Sequence, residues 1–119
     1  MDMQAQRFIV VACQEDVDEG RLIEVTVGEY QVLLGRTGQG YFAVENRCPH
    51  QGRPLSNGLI RNGQIICAFH GAKFDLDTGA ARGPYTRCSL LTFDVRLRDG
   101  EIAVSDGPKR DVTAQIGAN

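Results

Sequence analysis

The chain has 119 residues, with 13 Lys and Arg against 15 Asp and Glu, and its formal charge of −2 excludes any general attraction to nucleic acid. That length gives one domain with a real core and leaves no room for a second catalytic one. The 42% apolar content is spread in short runs such as Phe8–Ala12, far below the roughly 20 residues that span a bilayer, so a transmembrane anchor is excluded.

In chain order, the opening MDMQAQR carries an acid where a secretory signal would be basic, so the expected compartment is the cytoplasm. Alternating apolar residues and β-branched side chains then predict strands at RFIVVAC (7–13), RLIEVTV (21–27), YQVLLGR (30–36) and YFAVEN (41–46). Further strands are predicted at QIICA (64–68), KFDL (73–76), LLTFDVRLR (90–98) and EIAVS (101–105). Between them VGEY, TGQG, SNG, RNGQ, DTGA and RDGE place glycine where hairpin turns need positive φ. The pattern is that of an antiparallel all-β fold. QEDVDEG (14–20) allows one helical turn at most, as a solvated acidic bend. Periodicity fades near Ser105, so residues 1–105 form the domain and 106–119 a mobile C-terminal tail.

Only two histidines occur, and each stands beside a cysteine, in Cys48-Pro49-His50 and in Cys67-Ala68-Phe69-His70. Each pair closes a predicted strand where a loop begins, and the 16 residues from Gln51 to Ile66 separate them. Four cysteines could make two disulfides, but in a reducing compartment paired Cys and His point to metal. Two centres suit two thiolates and two imidazoles. A structural zinc tetrahedron ordinarily pairs Cys with Cys and His with His, unlike the mixed order here. A [2Fe–2S] centre with two cysteines on one iron and two histidines on the other takes one ligand of each kind from each loop, which matches it. Cys13 and Cys88 interrupt apolar segments and read as small hydrophobes.

With these motifs the sequence resembles the Rieske ferredoxins that serve bacterial multicomponent oxygenases. The resemblance runs from about Phe8 to Val104 through CPH (48–50), CAFHG (67–71), KFDLDTG (73–79), GP (83–84) and LLTFDV…DGEIAV. It implies a β sandwich with a small inserted cluster-binding subdomain, whose loops are about 46–54 and 67–74. It also implies one Rieske-type [2Fe–2S] cluster, with Cys48 and Cys67 on the inner iron and His50 and His70 on the outer one. A proline loop at Gly83–Tyr85 would lie near the cluster, with Phe69 and Tyr85 as an apolar cover. Arg53 and Phe69 stand where the respiratory branch of the superfamily has a disulfide. Ala72 and Phe74 stand where that branch has hydroxyl donors to sulfur, which implies a low potential, about −150 mV.

The implied role is a one-electron carrier, monomeric and without turnover of its own, between a flavoprotein ferredoxin reductase and a terminal oxygenase of aromatic or similarly apolar substrates. An oxygenase's own mononuclear iron would need two more histidines and a carboxylate, and both histidines are already committed. The alternatives are the small subunit of an assimilatory nitrite reductase and a zinc-stabilised interaction module. Arg47, Arg53 and Lys73 beside the ligands are either solvated or a docking rim.

Overall fold

The computed structural model describes residues 7–48, 54–68, 71–82 and 88–109. Among them are strands β1 (Phe8–Cys13), β2 (Leu22–Val27), β3 (Tyr30–Thr37), β4 (Gly40–Glu45), β5 (Leu59–Arg61), β6 (Gln64–Ile66), β7 (Lys73–Asp75), β8 (Ala81–Arg82), β9 (Thr92–Phe93), β10 (Val95–Arg98) and β11 (Glu101–Ser105). All pairings are antiparallel, in three sheets ordered β1-β11-β10, β2-β3-β4-β9 and β5-β6-β7-β8. The expected all-β class is the one found. Among the described residues the one helical turn is a 3-10 turn at Gln14–Asp16, where the Cys13 N–H donates to the Asp16 carboxylate at 3.0 Å.

Turn chemistry sets the registers. Asn62-Gly63, between β5 and β6, and Asp99-Gly100, between β10 and β11, have positive φ at both residues (54° and 75°; 53° and 79°). These are two-residue type I′ turns, whose twist matches that of the flanking strands.

The β2-β3-β4-β9 sheet is a partition with apolar side chains on both faces. Strand alternation sends Leu33, Phe42 and Val44 to one side, against Cys48, Leu55, Ile65, Cys67, Ala72, Phe74, Leu76 and Leu90. It sends Val32, Leu34 and Ala43 to the other, against Val17, Val27, Phe93, Ile102 and Val104. This explains the unbroken apolar run in β3, since a strand covered on both faces has no polar alternation to show. Each fully buried Leu or Ile contributes about 1.5–3 kcal/mol, so both layers are substantial.

Strands β5 to β8 form their own sheet within the chain segment between β4 and β9, and β4 and β9 pair with each other through Ala43 with Phe93 and Val44 with Thr92. The small subdomain is therefore an insertion into the sandwich. Gly79 fastens it to the segment leading into β9: its carbonyl accepts from Leu90 N–H at 2.8 Å, its φ is 76°, and a Cβ there would collide with the Leu90 carbonyl.

Two sequence expectations need correction. LLTFDVRLR is not one strand. It breaks at Asp94, so that Phe93 pairs with Ala43 in the middle sheet and Val95 with Val104 in the outer one. Ser105 holds this corner, its N–H donating to the Asp94 carbonyl (2.9 Å) and its hydroxyl oxygen accepting from the Asp94 N–H (3.0 Å). The short strands β5 and β8, of three and two residues, were not expected at all. Of residues 106–119, the first four lie against the domain, with Asp106 N–H donating to the Arg7 carbonyl and Lys109 N–H to the Thr92 carbonyl. Residues 110–119 lie outside the described residues. Among the described residues no helix is long and apolar enough to cross a membrane.

Candidate metal centre

The first loop leaves β4 at Glu45, whose N–H donates to the Leu91 carbonyl, and Asn46 N–H donates to the Gln31 carbonyl on β3. Two residues on, Cys48 has no solvent exposure. The chain re-enters the core at Leu55, also fully buried, and the Asn46 Oδ1 accepts from the Leu55 N–H at 2.8 Å. Gly58 then turns the chain into β5, its N–H bonded to the Leu55 carbonyl and its Cα so close to the Ile66 carbonyl that a Cβ would clash.

The second loop begins where β6 ends. Cys67 N–H donates to the Ala72 carbonyl (2.7 Å) and Gly71 N–H to the Cys67 carbonyl (3.0 Å), so residues 67 and 72 form its closed base. Gly71 takes φ 76°, the left-handed conformation that glycine accepts without steric cost. Cys67 is 2% exposed and belongs to the same apolar cluster as Cys48, Leu55, Ala72 and Phe74. The two cysteines are thus brought together in one core, each at the root of its loop. His50 and His70 lie outside the described residues, as do Gln51, Arg53, Phe69 and Gly83–Tyr85.

Ala72 and Phe74 are both fully buried, so the apolar side chains predicted at these positions form part of the wall around the cysteines. Arg47 and Lys73 are exposed. The leftover cysteines, Cys13 and Cys88, are both exposed. For Cys13 the cause is an irregularity between Val10 and Ala12 that shifts the register of edge strand β1 and sets Cys13 opposite exposed Glu101.

Two polar groups brace the site. Asp75 on β7 accepts from Arg82 Nε (3.0 Å) and Nη2 (2.7 Å) and from Gln64 Nε2 (3.3 Å), tying β6, β7 and β8 together. The hydrogen bonds from Arg82 hold the Asp75 carboxyl below its ordinary range, with desolvation opposing and Gln64 assisting. Glu24 on β2 accepts from the Asn46 side chain at 3.1 Å, and the neighbouring Ser56 side chain and Asn46 lower its pKa. Sequence reasoning missed both groups.

The donor chemistry fits an iron–sulfur group. Two thiol side chains sit in an apolar cluster that excludes water, and each loop carries an imidazole a few residues further along. Fold and site together define a small all-β protein with two loop-borne sulfur donors buried in one core. Residues 7–105 match the Rieske [2Fe-2S] domain family, and the chain belongs to it.

Among its relatives, apoptosis-inducing factor 3 of Mus musculus is 31% identical over 90 residues, 76% of this chain but 15% of that protein, so the chain spans only a small part of it. The ferredoxin component of the naphthalene 1,2-dioxygenase/salicylate 5-hydroxylase systems of Ralstonia sp is 31% identical over 91 residues, covering 76% of this chain and 83% of that one. Among solved structures, a complex of reduced oxygenase and oxidized ferredoxin in carbazole 1,9a-dioxygenase matches with TM-score 0.81 and 29% identity, over 89% of this chain and 99% of that one. The assigned small subunit of an NADH-dependent nitrite reductase from Mycobacterium tuberculosis matches with TM-score 0.75 and 27% identity, over 85% and 96%.

Proposed function

We propose that this chain is a ferredoxin component: a one-electron carrier that takes electrons from a flavoprotein ferredoxin reductase, delivers them to a terminal oxygenase, and has no turnover alone. In this reading Cys48, His50, Cys67 and His70 hold one Rieske-type [2Fe–2S] cluster, the cysteines on the inner iron and the histidines on the outer one. The observation that carries it is the convergence of Cys48 and Cys67 in one buried cluster at the roots of two loops. The match to a ferredoxin component over 76% of this chain and 83% of that one supports the carrier role. Bound there, the cluster supplies a single-electron couple. The chain's own residues do the rest: Leu55, Ala72 and Phe74 exclude water from the sulfur side, and the hydrogen bonds at the base of each loop fix where the ligands start. Exposed Arg47 and Lys73 supply positive charge for a short-lived encounter with an acidic partner surface. The chain acts in the cytoplasm as a monomer, which light scattering would report as a mass of 13.0 kDa before cofactor.

The test is the metal itself. Purified protein should contain about two iron and two acid-labile sulfide per chain. Cys67→Ser and His70→Cys should lose the native spectrum while Cys13→Ser and Cys88→Ser keep it. Colourless protein containing zinc, or equal loss from Cys13→Ser, would overturn the assignment. The likeness to the Mycobacterium tuberculosis protein favours a second reading, the small subunit of a nitrite reductase. Co-purification with a large reductase subunit, and no electron delivery to any oxygenase, would decide for it.

A further inference from the structure

The neck of the first loop carries polar chemistry that holding a ligand does not require. Asn46 and Leu55 are nine residues apart, and the Oδ1···H–N bond between them closes the loop where it meets the sandwich. Leu55 has no solvent exposure, so its N–H cannot turn to water instead. That N–H is only a donor, so the Asn46 oxygen must face it, and the amide nitrogen is left to donate to Glu24 Oε2 at 3.1 Å. Glu24 belongs to β2. The Asn46 backbone N–H is fixed to Gln31 on β3. The Asn46 limb of the neck is thus tied to Glu24 on β2 and to Gln31 on β3, and the returning limb is tied to Asn46 through Leu55.

We propose that Asn46 is a positioning residue for the loop that carries Cys48 and His50, acting through Leu55 and Glu24 to hold the loop's geometry constant between the oxidised and reduced proteins. The proposal rests on the reading that this loop holds the cluster. A loop free to open at its neck would let ligand spacing change with each electron. One closed by two side-chain hydrogen bonds, with a backbone bond beside them, keeps its ligands where the sandwich places them.

The experiment compares native protein with Asn46→Ala, with the double variant Glu24→Gln/Asn46→Asp, and with Ile102→Val as a control. Ile102 is fully buried in the opposite core, so its truncation lowers thermal stability without touching the loop. The double variant swaps amide and carboxylate, restoring both the acceptor for Leu55 and a donor–acceptor pair across to residue 24. Asn46→Ala should bleach about ten-fold faster under chelator and broaden the reduced-state EPR lines. Ile102→Val should do neither, and the double variant should recover most of the native behaviour. Amide exchange at Leu55, read without reference to the cluster, should quicken in Asn46→Ala alone. Bleaching and EPR lines in Asn46→Ala equal to those of Ile102→Val would overturn the proposal even if Leu55 exchange rises, as would failure of the swap to rescue. Native protein without a [2Fe–2S] cluster would overturn the functional reading and this proposal with it, whereas a native cluster unaffected by Asn46→Ala overturns this one alone.

Discussion

Replacing Phe74 by Tyr adds one hydroxyl to a fully buried ring that shares its apolar cluster with Cys48, Cys67 and Ala72. Phe74 lies opposite Ile65 on β6, two residues before Cys67, so the ring packs into the wall of the sulfur side. A hydroxyl donating to cysteine sulfur stabilises the more negative, reduced state more than the oxidised one. At about 1 kcal/mol for that difference, and 59 mV per factor of ten for a one-electron couple, the midpoint potential should rise by about 40 mV. The same substitution crowds a packed site, which costs about 1–3 kcal/mol of stability and should lower the melting temperature by a few degrees. Protein-film voltammetry on variant and native protein, with iron content measured in parallel, reads the shift. An intact cluster with no upward shift would refute the argument that an apolar residue at 74 keeps the potential low.

Gly79→Ala should destabilise the chain by about 2 kcal/mol or more, because it combines a left-handed backbone with a Cβ against the Leu90 carbonyl; urea midpoints at constant m-value would show it. The Asp75 carboxyl has a folded pKa depressed below its ordinary value of about 3.9, so its pairing with Arg82 stabilises the protein above that pH and is lost as pH falls through the depressed value. Stability of Arg82→Gln measured from pH 6 down to pH 2 should therefore fall less steeply at the acid end than that of native protein, and identical acid limbs would count against the pairing. Lys73→Glu should leave absorbance and potential nearly unchanged but slow stopped-flow electron transfer to the oxygenase, most at low ionic strength, since Lys73 is exposed beside the second loop. Equal rates at every salt concentration would remove it from the docking rim.

Much of the fold was legible because it is written in local chemistry. The long strands announce themselves by alternation, and Asn62-Gly63 and Asp99-Gly100 are turns that few other dipeptides could form. Of the candidate centre, the convergence of Cys48 and Cys67 was legible for a similar reason, since mixed Cys/His pairs have few other uses, while His50 and His70 lie outside the described residues. What escaped depends on contacts between distant residues. Nothing around Asp94 says that the chain must change sheets there; the hydroxyl of Ser105, eleven residues on, makes the corner. The register shift that turns Cys13 outward arises in the pairing of β1 with β11, not in the local pattern. The bond between Asn46 and Glu24 joins residues 22 apart, so neither advertises it alone. Strand β5 had a clue in the Asn62-Gly63 turn, which needs a strand on either side.

The cluster around Ile102 draws its side chains from residues before 46 and after 91, and none from the inserted subdomain. Loss of iron should therefore threaten one layer of the protein and leave the other its full complement of contacts. Chelated protein should keep dispersed NMR signals for Val104 and its neighbours while those of Ile65 and Leu76 collapse. A newly made chain would then wait for its metal as a half-finished fold, with β4 and β9 already paired and the loops between them still open to whatever delivers iron and sulfide.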